Sequence, residues 1–249
     1  MKENIDVLLE EDVDLGEEGA QLYRSHTMRA GYLAQDRTDL QRAVRELAKG
    51  MSKPTERHQI MLKRVVRYPR YAPRIRQRWV YQDKIFRYGV YNDTDHAGCI
   101  RTRKSTSGVV VMLGRNQLHS VCRGQAVIAL SSGEAEYYGL VTGCSEGLGD
   151  QSMAKDFGIL LSLHVWMDAT AGAAIGSRRG LGKVKHIDTI FLWVQDLTSS
   201  GKITLGKKHT SDNYADVLTK PVDGATLRRF MLAMGFEYLS GRAAQGYTI

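Results

Sequence analysis

The run Ile85 to Tyr91 is apolar and aromatic, reads as a strand, and closes on Asn92-Asp93-Thr94-Asp95. Like charges held close together repel and raise each other's pKa unless a cation lies between them. Two carboxylates at a strand's carboxyl end are therefore a costly thing to place by chance. Asp93 is the anchor, and the rest of the chain is read for further carboxylates that converge on it.

Upstream of this strand the apolar spacing is helical. Residues up to about Gly16 carry few large apolar side chains and many acids, which predicts a frayed lead-in over 1–16. Thr38 or Asp39 is placed to cap a helix whose positions Leu40, Ala43, Val44, Leu47, Ala48 and Met51 share one face, before Lys53-Pro54 stops it. Thr55 is placed to cap a second, with Met61, Leu62, Val65 and Val66 inward and Pro69 ending it; Pro73 then keeps the chain extended. A helical segment with a basic linker thus fills 17–80.

From Ile85 the period changes. Gly108 to Gly114 and Gln117 to Cys122 supply two more strands, joined by loops short enough for antiparallel pairing. Ser131 with Glu134 three residues on marks a capping box, opening a long helix with Tyr137, Leu140, Val141, Cys144 and Leu148 on its apolar side and Glu136 in its first turns. Leu163, Val165 and Met167 alternate against His164, Trp166 and Asp168, so Asp168 also falls at a strand end. A small-residue helix from Ala169 to Ile175, a helix over Ile187 to Leu197 and a fifth strand over Lys202 to Lys208 follow. Ser211 or Asp212 then caps a short helix containing Asp216 that Pro221 closes, and Thr226 to Met234 adds a last helix. The domain predicted over 81–222 is α/β with a five-stranded mixed sheet flanked by helices, and 223–249 form a C-terminal helix and tail.

Charge narrows the partner. The formal net charge is +8, yet the first eighteen residues hold eight acids, whereas Lys63 to Arg78 hold seven Lys or Arg and no acid. Arginine forks match phosphate oxygens, so a polyanion is the natural partner, with a solvated surface as the alternative. The loop Arg101-Thr-Arg-Lys-Ser-Thr-Ser-Gly108 is likewise either a phosphate rail or a polar hairpin loop. Cys99, Cys122 and Cys144 are odd in number and show no zinc-type spacing, which predicts reduced, packed thiols. Without an apolar run of bilayer length or a secretory leader, a place in the cytoplasm, including virus-like particles there, or in the nucleus is expected, with no membrane partner.

Five motifs in order carry a resemblance: Tyr91-Asn-Asp-Thr-Asp-His-Ala-Gly98, Arg103-Lys-Ser-Thr-Ser-Gly108, Ala129-Leu-Ser-Ser-Gly-Glu-Ala-Glu-Tyr137, Lys185-His-Ile-Asp188 and Ala215-Asp-Val-Leu-Thr-Lys-Pro221. They resemble the type 1 ribonuclease H domain of copia-type LTR retrotransposon Pol polyproteins. Leu22-Tyr-Arg, Arg37-Thr-Asp-Leu40 and Met51-Ser-Lys-Pro-Thr55 are similar to the end of the preceding reverse transcriptase region. The polymerase motif Tyr-x-Asp-Asp does not occur, so no DNA synthesis is expected from this chain.

The resemblance implies hydrolysis of the RNA strand of an RNA–DNA hybrid, with two Mg²⁺ ions, replaceable by Mn²⁺, held by Asp93, Glu136, Asp168 and Asp216. It implies hybrid contacts from Arg101, Arg103, Lys104, Ser105 and Thr106 and from Lys185 and His186, and an upstream reverse transcriptase portion as partner. Read singly, Asp95 is a hairpin-side polar residue, Glu134 a capping residue and His209 a surface histidine. Departures from the family pattern are His96 in place of Trp, Ala169 after the third aspartate, and Pro69 and Gly149-Asp150 in stretches otherwise helical. A decayed element copy that only binds nucleic acid, or a structural connection module, is the alternative to an active enzyme.

Overall fold

A computed structural model of the chain describes residues 12–83, 88–168, 170–178, 180 and 192–241. It divides into two units: one holds the residues up to Gln77 together with those from Phe236, the other runs from Arg78 to Gly235.

In the first unit, helices α1 (Glu17–Asp36), α2 (Thr38–Ala48) and α3 (Glu56–Tyr71) bury Tyr23, Leu47 and Leu62 in one cluster and Ala34, Leu40 and Val44 in another. Strand β1 (Arg74–Gln77) pairs antiparallel with β7 (Phe236–Leu239), a pairing across the length of the chain that no local pattern announces. Three expectations are corrected here. The segment before Gly16 is tied down at its end, because Leu15 N–H donates to Pro54 O (3.0 Å) and Glu56 N–H to Val13 O (2.9 Å). Neither Thr38 nor Asp39 caps α2: its N-cap is Arg37, whose guanidinium grips both Asp39 oxygens (2.9 and 2.8 Å). Pro69 does not end α3 but sits inside its last turn. There it forfeits a single N–H, and the helix closes through Ala72 N–H to Tyr68 O (3.0 Å). Thr55 is the expected cap of α3, and His58 Nδ1 accepts its N–H (3.2 Å).

The second unit is built on a five-stranded mixed sheet. Strands β2 (Tyr88–Asp95), β3 (Thr106–Leu113) and β4 (Asn116–Gly124) form an antiparallel meander. Strands β5 (Leu163–Met167) and β6 (Ile203–Lys207) then add parallel to β2 on its other side, giving the order β4-β3-β2-β5-β6. Around it lie α4 (Ser132–Asp156), α5 (Thr170–Ser177), α6 (Trp193–Ser199), α7 (Asp216–Thr219) and α8 (Gly224–Ala233). Gly149-Asp150 leave α4 unbroken.

Helix α4 begins where the sequence places it: Ser131 Oγ accepts Glu134 N–H (3.2 Å), while Glu134 Oε2 accepts from Leu130 N–H (2.9 Å). It then lies close on β2 because Gly139, Gly143 and Gly147 recur every fourth residue. A Cβ on Gly143 would stand 2.1 Å from Asn92 Oδ1, and one on Gly147 2.8 Å from Val90 Cγ2. That approach buries Tyr137, Leu140 and Cys144 against Val90, Val109, Val111 and Val165 in the sheet. None of the three cysteines is in a disulfide.

Candidate metal centre

The strand register brings the acids together. Asn92 pairs with Met167 across the parallel β2–β5 ladder, so the following residues, Asp93 and Asp168, emerge side by side at the carboxyl end of the sheet. On β2's other flank Asp93 faces Gly108 of β3. With no side chain there, α7 settles directly on the strand and delivers Asp216, its first residue. One oxygen from each of Asp93, Asp168 and Asp216 lies within 4.8 Å of the others. Asp93 and Asp216 are buried and Asp168 is half-buried.

Glu136 stands beside this trio rather than in it. Its Oε2 accepts the Gly172 N–H of α5 (3.2 Å). Burial raises its proton affinity; the Gly172 bond opposes the rise, and the charges of Asp168 and Asp93 add to it. The four-carboxylate set that the resemblance implies is thus three carboxylates converging within 4.8 Å and a fourth within their field.

Two further residues belong to the site although the sequence reading gave them no role. Thr219 Oγ1 donates a short hydrogen bond to Asp93 Oδ2. Lys220 Nζ reaches Asp93 Oδ1 and Asp216 Oδ1 (3.1 Å each) and Asp168 Oδ2 (3.7 Å). Their signal was in the motif, since Lys220 stands four residues after Asp216, the spacing that places side chains on one helix face. An ammonium among three carboxylates shows that the pocket accepts a cation, and hard oxygen donors are what Mg²⁺ selects. The residues therefore fit a divalent ion.

Burial pushes the Asp216 carboxyl up to about 6; the Asp93 charge adds to the rise and Lys220 opposes it. Between roughly pH 4 and pH 6 the folded protein keeps a proton that the unfolded chain has released, so this group's contribution to stability falls as pH rises through that window. In EDTA, the urea midpoint of the protein relative to Asp216→Asn is expected to fall between those pH values, and saturating Mg²⁺ to remove the fall. A pH-independent difference between the two proteins would contradict the site's electrostatics.

The remaining sequence candidates separate by burial. Arg101 and Arg103 are exposed and Lys104 half-exposed in the loop after β2, at the same end of the sheet as Asp93. Ser105 and Thr106 are buried instead: Ser105 Oγ accepts Ala97 N–H (3.0 Å), and Thr106 N–H is taken by Asp95 Oδ1. The loop's outward surface is therefore its cations, and Asp95 is a loop staple. His96 Nε2 lies 3.2 Å from Ala129 O, and exposed His209 accepts Ser211 N–H at its Nδ1 (3.2 Å). Lys185, His186 and Ala169 lie outside the described residues.

A mixed sheet of this strand order, with aspartates at the ends of two neighbouring parallel strands and a glutamate on the helix after the meander, is the arrangement that the resemblance to ribonuclease H implies. No family model matches the chain. Over 216 residues it is 28% identical to the retrovirus-related Pol polyprotein from transposon RE1 of Arabidopsis thaliana, covering 86% of this chain but 15% of that protein. It is 33% identical over 117 residues to the secreted RxLR effector protein 161 of Plasmopara viticola, covering 45% of this chain and 78% of that protein. Among solved structures, LC11-RNase H1 in complex with an RNA/DNA hybrid matches 53% of this chain and 93% of its own at 18% identity, with a TM-score of 0.36. The chain is thus similar to retrovirus-related Pol polyproteins of transposons, and it spans about 15% of the length of the Pol polyprotein it matches. Among the described residues no helix is long and apolar enough to cross a membrane.

Proposed function

We propose that this domain hydrolyses the RNA strand of an RNA–DNA hybrid in a reaction that depends on Mg²⁺. The observation that carries the reading is the convergence of Asp93, Asp168 and Asp216, far apart in sequence, on one cation position at the carboxyl end of the central strands. A pair of divalent ions held there would supply activation of a water and stabilisation of the leaving oxygen in an in-line displacement at phosphorus. Asp93 and Asp216 would hold the metal from a buried floor, and Asp168 from the more open side. Thr219 orients Asp93 by donating to Oδ2, which turns Oδ1 toward the centre. Glu136, fixed through Oε2 to Gly172, would have Oε1 left to bond a water or a ribose 2′-hydroxyl, the group that distinguishes RNA from DNA. Arg101, Arg103 and Lys104 flank the same sheet end and suit the phosphates of the bound strand; Lys185 and His186 join them on the sequence reading. In the polyprotein the upstream reverse transcriptase portion would deliver the hybrid.

Incubating the protein with end-labelled RNA–DNA hybrid, single-stranded RNA and duplex DNA tests this directly. Internal cleavage of the hybrid's RNA strand is expected with Mg²⁺ or Mn²⁺ and none with EDTA. Salt-sensitive hybrid binding without product in either metal would replace the enzyme with a binding-only fragment.

A further inference from the structure

The acid cluster carries a positive charge of its own, and that charge is on its most exposed member. Lys220 follows α7 by one residue, and its backbone is pinned by the bond from its N–H to Asp216 O (2.9 Å). Its side chain is 40% exposed, against 3% for Asp93 and 7% for Asp216. The two aspartates are thus the fixed floor, whereas the ammonium rests at the mouth on a flexible four-carbon stem with solvent to swing into. Asp93 Oδ1 and Asp216 Oδ1 both point at Nζ, so an ion held by those two oxygens would claim the space the ammonium fills.

Charge balance argues against a purely structural ion pair. One ammonium among three carboxylates leaves the cluster negative, with Glu136 close by, and so retains the demand for a cation of higher charge.

We propose that Lys220 is a tethered competitor for the divalent cation: it holds Asp93, Asp168 and Asp216 together in the metal-free protein, withdraws toward solvent when metal enters, and so sets the metal affinity of the site. This rests on the reading of the three aspartates as metal ligands. A lone pocket of three acids would either fly apart or trap metal indiscriminately, and a built-in ammonium lessens both tendencies.

Mn²⁺ binding to the full chain by isothermal titration calorimetry tests the role, with urea midpoints in EDTA and in saturating Mn²⁺ as the second readout. Lys220→Met is expected to bind Mn²⁺ about tenfold or more tightly than the native protein, since a cation beside the site has gone. Its midpoint should be lower in EDTA and should gain more from Mn²⁺. Lys220→Arg, which keeps the charge, should stay near the native affinity. Should Lys220→Met be marginal in EDTA, the larger rescue by Mn²⁺ still reports the effect. If Lys220→Met binds no more tightly than the native protein while Asp93→Asn abolishes binding, the competitor role falls and the metal centre stands. Equal tightening by the Met and Arg variants would also overturn it. Absence of Mn²⁺ binding in both the native protein and Lys220→Met would overturn both readings.

Discussion

Asp93→Asn is expected to reduce metal-dependent cleavage of the hybrid by roughly a hundredfold or more, because it removes one buried ligand charge while keeping the side chain's shape. Stability should behave differently. Asp93 is one of three carboxylates crowded within 4.8 Å, and its charge helps hold the Asp216 carboxyl at about 6. Neutralising it relieves that repulsion, at the expense of one contact to Lys220 and, after an amide flip, with the Thr219 bond retained. In EDTA the unfolding free energy of Asp93→Asn, measured in urea, should therefore stay within about 1 kcal/mol of the native protein or rise above it. Unaltered cleavage by the variant would sink the assignment of the site. Lost cleavage together with gross unfolding would show that Asp93 is structural first.

Gly108→Val should produce the opposite pairing, with loss of stability and loss of the metal site together. Valine favours strands, so propensity alone would make this substitution neutral or helpful in β3. The contacts decide otherwise. A Cβ at 108 would stand 2.8 Å from Leu218 Cβ, 2.9 Å from Thr219 Cγ2 and 3.0 Å from Ala215 O, atoms held on or next to the backbone that cannot step aside by rotating a long side chain. Either α7 lifts off β3 or the strand bends, at a cost of about 2 kcal/mol typical of overpacking. If α7 lifts, Asp216, Thr219 and Lys220 leave Asp93. The measurements are the urea midpoint and the Mn²⁺ affinity, both expected to fall. An unchanged midpoint would show that α7 is loosely seated and the site more plastic than its contacts imply.

Much of the fold was legible in local patterns. Alternation marked β5, the Ser131 and Glu134 spacing marked the start of α4, and short polar loops marked the meander. These signals work because each element's exposure repeats with its own period. The errors share a physical cause too. Asp39 has the right type for a helix cap, but its carboxylate is bonded instead by Arg37, two residues before it, and by Tyr68, brought in by packing. Ser105 and Thr106 look like phosphate ligands by composition, yet the tight turn of their loop directs them inward. The β1–β7 pair joins segments with no shared local signal.

The sequence by itself determined the order of the sheet strands in the second unit and the fold class, and put forward four acids, because periodicity, capping and motif order are local properties of a chain. Only the tertiary structure decided which acids converge. Asp93 and Asp168 are neighbours because the parallel register pairs Asn92 with Met167, and Asp216 joins them because Gly108 leaves room for α7. Glu136 is held a step back by Gly172, and Lys220 enters the centre because Asp93, Asp168 and Asp216, brought together by folding, require a cation.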